Sequence, residues 1–253
     1  MKKLVVALLF AFSATCFAGE LEDAIKKAES GDADSQILVG NMYYNGKETT
    51  QDFKEAAKWY QQAADKGIAS AQKKIAFMYH RGQHFGQSFE KALEWYLKAA
   101  EQGDSKAQYN VAIMYANGEG MDKNFTEAAK WYLKSAEQGD PKSMKNLGMI
   151  YYNGQGCPQN FPEAYKWFQK AADLGNKDAQ LNLGTMYFEA EGVKKDLVQV
   201  YFWCTLSERC EKGFFDLLEK EMTSEQLAEA KKLLAEYEAK KAPAVIKDSP
   251  HSH

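Results

Sequence analysis

AQYNVAIMYANGEGMDKNFTEAAKWYLKSAEQGD, residues 107–140, joins two stretches of helical character through a glycine-rich link. Its landmarks recur along the chain. Trp131 stands in register with Trp59, Trp95, Trp167 and Trp203, one every 36 residues. Tyr115 keeps the same step with Tyr43, Tyr79, Tyr151 and Tyr187, and Phe125 with Phe53, Phe89 and Phe161, Leu197 taking the next place. Gly139 follows Gly67 and Gly103 and precedes Gly175. A fixed period of this length is the signature of a repeat architecture.

Each copy reads as a helix pair. Phe53, Ala56, Ala57, Tyr60, Ala63 and Ala64 fall on one face of a second helix (helix B), and Ser35, Val39, Met42 and Tyr43 on one face of a first (helix A). Glycines at 46, 82, 118 and 154 end the A helices and Gly67 and its equivalents end the B helices, where a chain leaving a helix adopts positive φ. A single pair of this size cannot bury its own apolar face, so neighbouring pairs must stack. The small residues in mid helix A, Gly40, Ala76, Ala112, Gly148 and Gly184, are expected to let the facing helix approach. Glu20 to Gly31 matches a B helix without its partner, a starting half-repeat. Thr223 to Gln226 has the pattern of a capping box opening a last amphipathic helix.

The repeat of residues 107–140 resembles the Sel-one-like repeat (SLR), a relative of the tetratricopeptide repeat, and MTSEQLAEAKKLLAEY, residues 222–237, is similar to endings of bacterial members. The resemblance covers about residues 20–240. It implies an all-α fold, a right-handed α/α solenoid of five helix pairs with an N-terminal half-repeat and a C-terminal cap. It also implies protein–protein interaction, in some exported bacterial members as adaptors. Cysteine-rich relatives pair cysteines within each repeat and have been linked to β-lactams, but no such recurrent pair is present.

The resulting domain plan is a signal peptide over 1–18, repeats over 19–212, capping helices over 213–240 and a disordered tail over 241–253. Lys2 and Lys3 precede the apolar run Leu4 to Phe12, and small residues end at Ala18, the order of a secretory leader. An exported protein, periplasmic or secreted, is therefore expected, with no membrane span. The whole-chain net charge is −3. Loss of the leader makes it more negative, which does not favour nucleic acid. Cys157, Cys204 and Cys210 would remain. Cys204 and Cys210, read on one continuous helix, lie about 9 Å apart along the axis and on different faces, too far for a disulfide. A bridge from Cys157 to one of them stays open.

Variable positions of the A helices form a stripe at i, i+4 and i+7. It reads Ile37, Asn41, Tyr44; Lys73, Phe77, His80; Tyr109, Ile113, Ala116; Lys145, Met149, Tyr152; and Leu181, Thr185, Phe188. The aromatic and apolar character marks a partner surface, and Lys73, Lys106, Lys142 and Lys145 add positive charge. Asn110, Asn146 and Asn182 form a ladder beside the stripe, able to pair with a peptide backbone. The candidate partner-binding groove is thus Tyr44, Lys73, Phe77, His80, Tyr109, Asn110, Ile113, Lys145, Asn146, Met149, Tyr152, Asn182 and Phe188. The expected function is a monomeric adaptor holding an extended peptide or a partner's loop in the concave groove. An envelope enzyme and a stoichiometric envelope subunit are the alternatives.

YHRGQHFGQSF, residues 79–89, holds His80 and His84 four residues apart, a spacing that suits a metal on a continuous helix. Gly82 breaks the helix between them and no third ligand is evident. No metal, cofactor or catalytic residue is therefore expected.

Overall fold

The computed structural model describes residues 19–241, which form helices without strands. The leader expected over 1–18, and the tail expected over 241–253 apart from Lys241, lie outside the described residues. The chain divides into two compact units, one up to Gln138 and one from Gly139.

The first unit begins with α1 (19–29), the lone B helix. Three pairs follow: α2 (Ala33–Asn45) with α3 (Phe53–Asp65), α4 (Ala69–Arg81) with α5 (Phe89–Glu101), and α6 (Ser105–Asn117) with α7 (Phe125–Glu137). Successive helices from α2 to α7 pack on one another. Ala24 and Ala28 of α1 close over Val39, Met42 and Trp59, so the half-repeat covers what would be an open apolar end.

The second unit has two full pairs, α8 (Pro141–Asn153) with α9 (Phe161–Asp173) and α10 (Lys177–Glu189) with α11 (Leu197–Ser207). It ends in α12 (Lys212–Glu221) and α13 (Ser224–Lys241). Val198, Val200 and Cys204 of α11, Leu218 of α12 and Ala230 of α13 share one buried cluster. Thr223 Oγ1 accepts the Gln226 N–H and Gln226 Oε1 accepts the Thr223 N–H, the reciprocal capping box that the sequence announces.

The recurrent residues have local causes. Nearly every helix of the pairs starts on an Asp, Asn or Ser whose side chain accepts a first-turn N–H, as Asp104 does from Ala107 at 2.8 Å. Ile68, before α4, makes no such bond. The A helices stop where Gly46, Gly82, Gly118 and Gly154 take φ of 66°, 66°, 73° and 64°. The recurrent tyrosine then fastens the connector: the carbonyl oxygens of Tyr43, Tyr79, Tyr115 and Tyr151 accept the N–H of the residue that caps helix B, at 2.9, 3.1, 2.8 and 2.9 Å. A Cβ on Gly40 would lie 2.5 Å from the Tyr60 ring and one on Gly148 2.6 Å from the Phe168 ring. Glycine there is a packing requirement.

The cysteine expectation is overturned. Cys204 and Cys210 form a disulfide with Cα atoms 5.6 Å apart, and Cys157 is free. Helix α11 stops at Ser207, and Glu208 turns the chain at φ 56°, which brings Cys210 back beside Cys204. The separation of about 9 Å would hold only if the helix ran on through residue 210.

Candidate functional site

Within the first unit, α4, α5 and α6 enclose a cavity of about 240 Å³ lined by Phe77, His80, Arg81, Tyr96, Asn110, Ile113, Met114 and Glu119. Four of these, Phe77, His80, Asn110 and Ile113, belong to the sequence-derived stripe and ladder. Within the second unit, α8, α9 and α10 enclose one of about 190 Å³ lined by Met149, Tyr152, Phe168, Asn182 and Thr185. These residues stand in the same register as Phe77, His80, Tyr96, Asn110 and Ile113, two repeats later. The fold thus builds the same cup in each unit.

The wall of each cup is held by a bond from the end of helix A to the next connector. His80 Nε2 lies 2.7 Å from Glu119 Oε2, and Tyr152 donates its hydroxyl to Glu191. Tyr44 makes the equivalent bond to Gln83 Oε1 at 2.9 Å. Desolvation first, then Glu191, pushes the Tyr152 phenol up to about 12. Burial likewise raises the Tyr96 phenol, with Glu119 adding to it. These connector partners escaped the sequence reading, although the place is polar in every repeat, as Gln83, Glu119, Gln155 and Glu191.

In the first repeat the cup position is occupied from within. Tyr60 donates to Asn41 Oδ1 at 2.8 Å, and Lys74, in the register of Asn110 and Asn182, places Nζ 5.8 Å from the centroids of both Tyr44 and Tyr60. Burial, with Lys73 and Lys106 nearby, lowers the pKa of this ammonium.

A larger cavity of about 470 Å³ lies at the end of the second unit, among Leu181, Thr185, Phe188, Glu189, the Cys204–Cys210 bridge, Glu211 and Phe214. It shares Thr185 with the α8–α10 cup. The Phe188 and Phe214 rings meet edge to face at 6.0 Å. Sequence reasoning placed Phe188 here but missed Phe214 and Glu211, since only the turn at Glu208 returns α12 to this side.

The remaining stripe residues take other surroundings. Lys73 donates to Asp104 Oδ2 at 2.5 Å, so its charge is matched within the fold. Tyr109 packs its ring 6.0 Å from Tyr132. Asn182 Nδ2 points to Met149 Sδ at 3.5 Å. Tyr109, Lys145 and Asn146 are half-buried and line none of these three cavities. His84 stands at φ 64° with its ring 4.9 Å from Phe85, while His80 is engaged with Glu119. Among the described residues no group of three or more His, Cys, Asp or Glu could hold a metal ion.

Helix pairs in fixed register, with side-chain cups between successive A helices, define a repeat protein of the tetratricopeptide-like class. The Sel1 repeat model matches residues 33–68, 69–104, 105–140, 141–176 and 177–207, and the chain belongs to the Sel1 repeat family. Proteins of this family are generally interaction scaffolds. A Sel1 repeat protein from Oxalobacter formigenes is similar in structure, with a TM-score of 0.69 and 28% identity over 77% of this chain and 80% of its own. A protective antigen of uropathogenic Escherichia coli strains displaying an SLR fold has a TM-score of 0.53 and 31% identity, over 93% of this chain and 60% of its own. The secretory immunoglobulin A-binding protein EsiB of Escherichia coli is 39% identical over 69 residues, which span 25% of this chain and only 14% of that protein.

Proposed function

We propose that the chain is an exported scaffold that holds an extended peptide, or a loop of a partner protein, on the stripe of its A helices. The observation that carries this reading is the repeated cup. Each unit holds a cavity in this register, walled by aromatic rings and bounded by a bond to the connector, and each is suited to a side chain of a bound segment. The polar ladder at Asn110 and Asn182 stands at the cups, where backbone amides of such a segment could pair. Export rests on the leader-like residues 1–18.

The test is replacement of Phe77, Tyr109 and Tyr152 together by alanine, with folding verified by circular dichroism. Loss of partner binding in a folded variant supports the reading. Unchanged binding removes the stripe from consideration.

A further inference from the structure

We propose that the α8–α10 cup of the second unit receives a lysine or arginine side chain of the bound segment. This rests on the peptide reading above and names what the cup selects.

The chain itself supplies the template. At the first register position a lysine, Lys74, is laid over the Tyr44 and Tyr60 rings at 5.8 Å from each centroid, within the reach of cation–π attraction. In the second unit the same position is Asn182, whose shorter side chain reaches only Met149 Sδ. The space above Tyr152 and Phe168 is left as a cavity of about 190 Å³. A lysine or arginine entering from a partner would stand where Lys74 stands three registers earlier.

Charge distinguishes this cup from its sister. Beside Tyr152 stands the carboxylate of Glu191, which accepts the phenol hydroxyl, and the field of Glu189, which lines the neighbouring cavity, also acts on that phenol. At the α4–α6 cup the rim already carries a cation, Arg81, stacked 5.6 Å over Phe77. Two repeats on, that place is Asn153. Aromatic faces and a thioether, with a carboxylate on the adjoining phenol and no cation among the lining residues, are the surroundings in which a desolvated basic side chain is favourable.

The purified protein is screened against a library of short random peptides, and binders are resynthesised and measured by fluorescence anisotropy. The expected binders share a lysine or arginine, and its replacement by norleucine weakens binding at least about tenfold. Asn182→Lys, which installs the internal lysine of the first register, weakens the same peptides at least about tenfold with an unchanged thermal melt. Glu191→Gln weakens the basic peptide but not its norleucine counterpart, which keeps the test independent of the folding of Asn182→Lys. Peptides that lose binding on the Phe77, Tyr109 and Tyr152 replacement but share no basic residue, or that ignore both cup variants, overturn the inference and leave the scaffold reading standing. Absence of any peptide binder overturns both.

Discussion

His80 Nε2 lies 2.7 Å from Glu119 Oε2, a contact between the end of one A helix and the connector of the next repeat. Tyr152 and Glu191 repeat it in the second unit. A stripe position therefore has two duties, lining a cup and tying one repeat to its neighbour. Tyr152→Phe keeps the ring and removes only the tie, at a cost of about 1 kcal/mol. Because Tyr152 in the fold is pushed up to about 12 from an ordinary 10.0, its contribution is complete below pH 10 and is lost as pH rises through 12. Urea unfolding of parent and Tyr152→Phe at a series of pH values is expected to show a constant gap up to about pH 10 and a shrinking one from there to about pH 12.

The glycines of mid helix A are not equivalent. A Cβ at Gly148 would meet Phe168 Cδ1 at 2.6 Å, whereas one at Gly184 meets Cys204 Sγ at 3.4 Å. Gly148→Ala is expected to destabilise by about 1–3 kcal/mol. Gly184→Ala is expected to be neutral or to stabilise by up to about 1 kcal/mol, since alanine favours the helix. Thermal melts of the two single variants check the contrast.

In every repeat but the fourth, a buried glutamine in helix A ties the repeat to the preceding B helix. Gln108 donates to the Ala100 carbonyl at 3.0 Å and accepts from Gln138 at 2.8 Å. Gln180 donates to Ala172 at 3.1 Å, but its buried Oε1 has no hydrogen-bond partner. In sequence register Cys210, held in the disulfide, stands 30 residues after Gln180 as Gln138 does after Gln108. Methionine, which the chain itself uses at 144, is the substitution to make. Gln108→Met is expected to cost about 1–3 kcal/mol, and Gln180→Met less, because it also relieves an unpaired buried oxygen. Chemical denaturation of the two variants decides whether the order holds.

The Cys204–Cys210 bridge holds the turn that leads into α12 and closes the large cavity beside Phe188. Reduction, or Cys210→Ser, is expected to lower stability by about 2 kcal/mol, the chain-entropy value for a short closed loop. Melts with and without dithiothreitol check this, with the Cys157→Ser variant as a control expected to keep the full response.

Much of this architecture was legible because its causes are periodic. Tryptophan, tyrosine and glycine recur since each repeat solves one packing problem in one way, and the capping box at Thr223 is a local pattern of four residues. Two things were hidden. Glu208 ends α11 at positive φ without being glycine, so nothing local announced the turn that pairs the cysteines. The ties from Tyr44, His80 and Tyr152 cross from one repeat to the next, and their polar alternation at Gln83, Glu119, Gln155 and Glu191 becomes meaningful only once repeats are stacked. The role of Lys74 is hidden for the same reason. In sequence it interrupts an asparagine ladder, and in space it fills a cup.

The most direct measurement of the central claim is site-specific photocrosslinking in the living cell. A photoreactive side chain is placed at Tyr109 or Asn182 on the stripe and, as controls, at Lys98 or Lys134 on the exposed faces of B helices. The account predicts one discrete crosslinked partner from the stripe positions, identified by mass spectrometry, and none from the controls. Crosslinks that arise equally from the B helices, or from them alone, would contradict it.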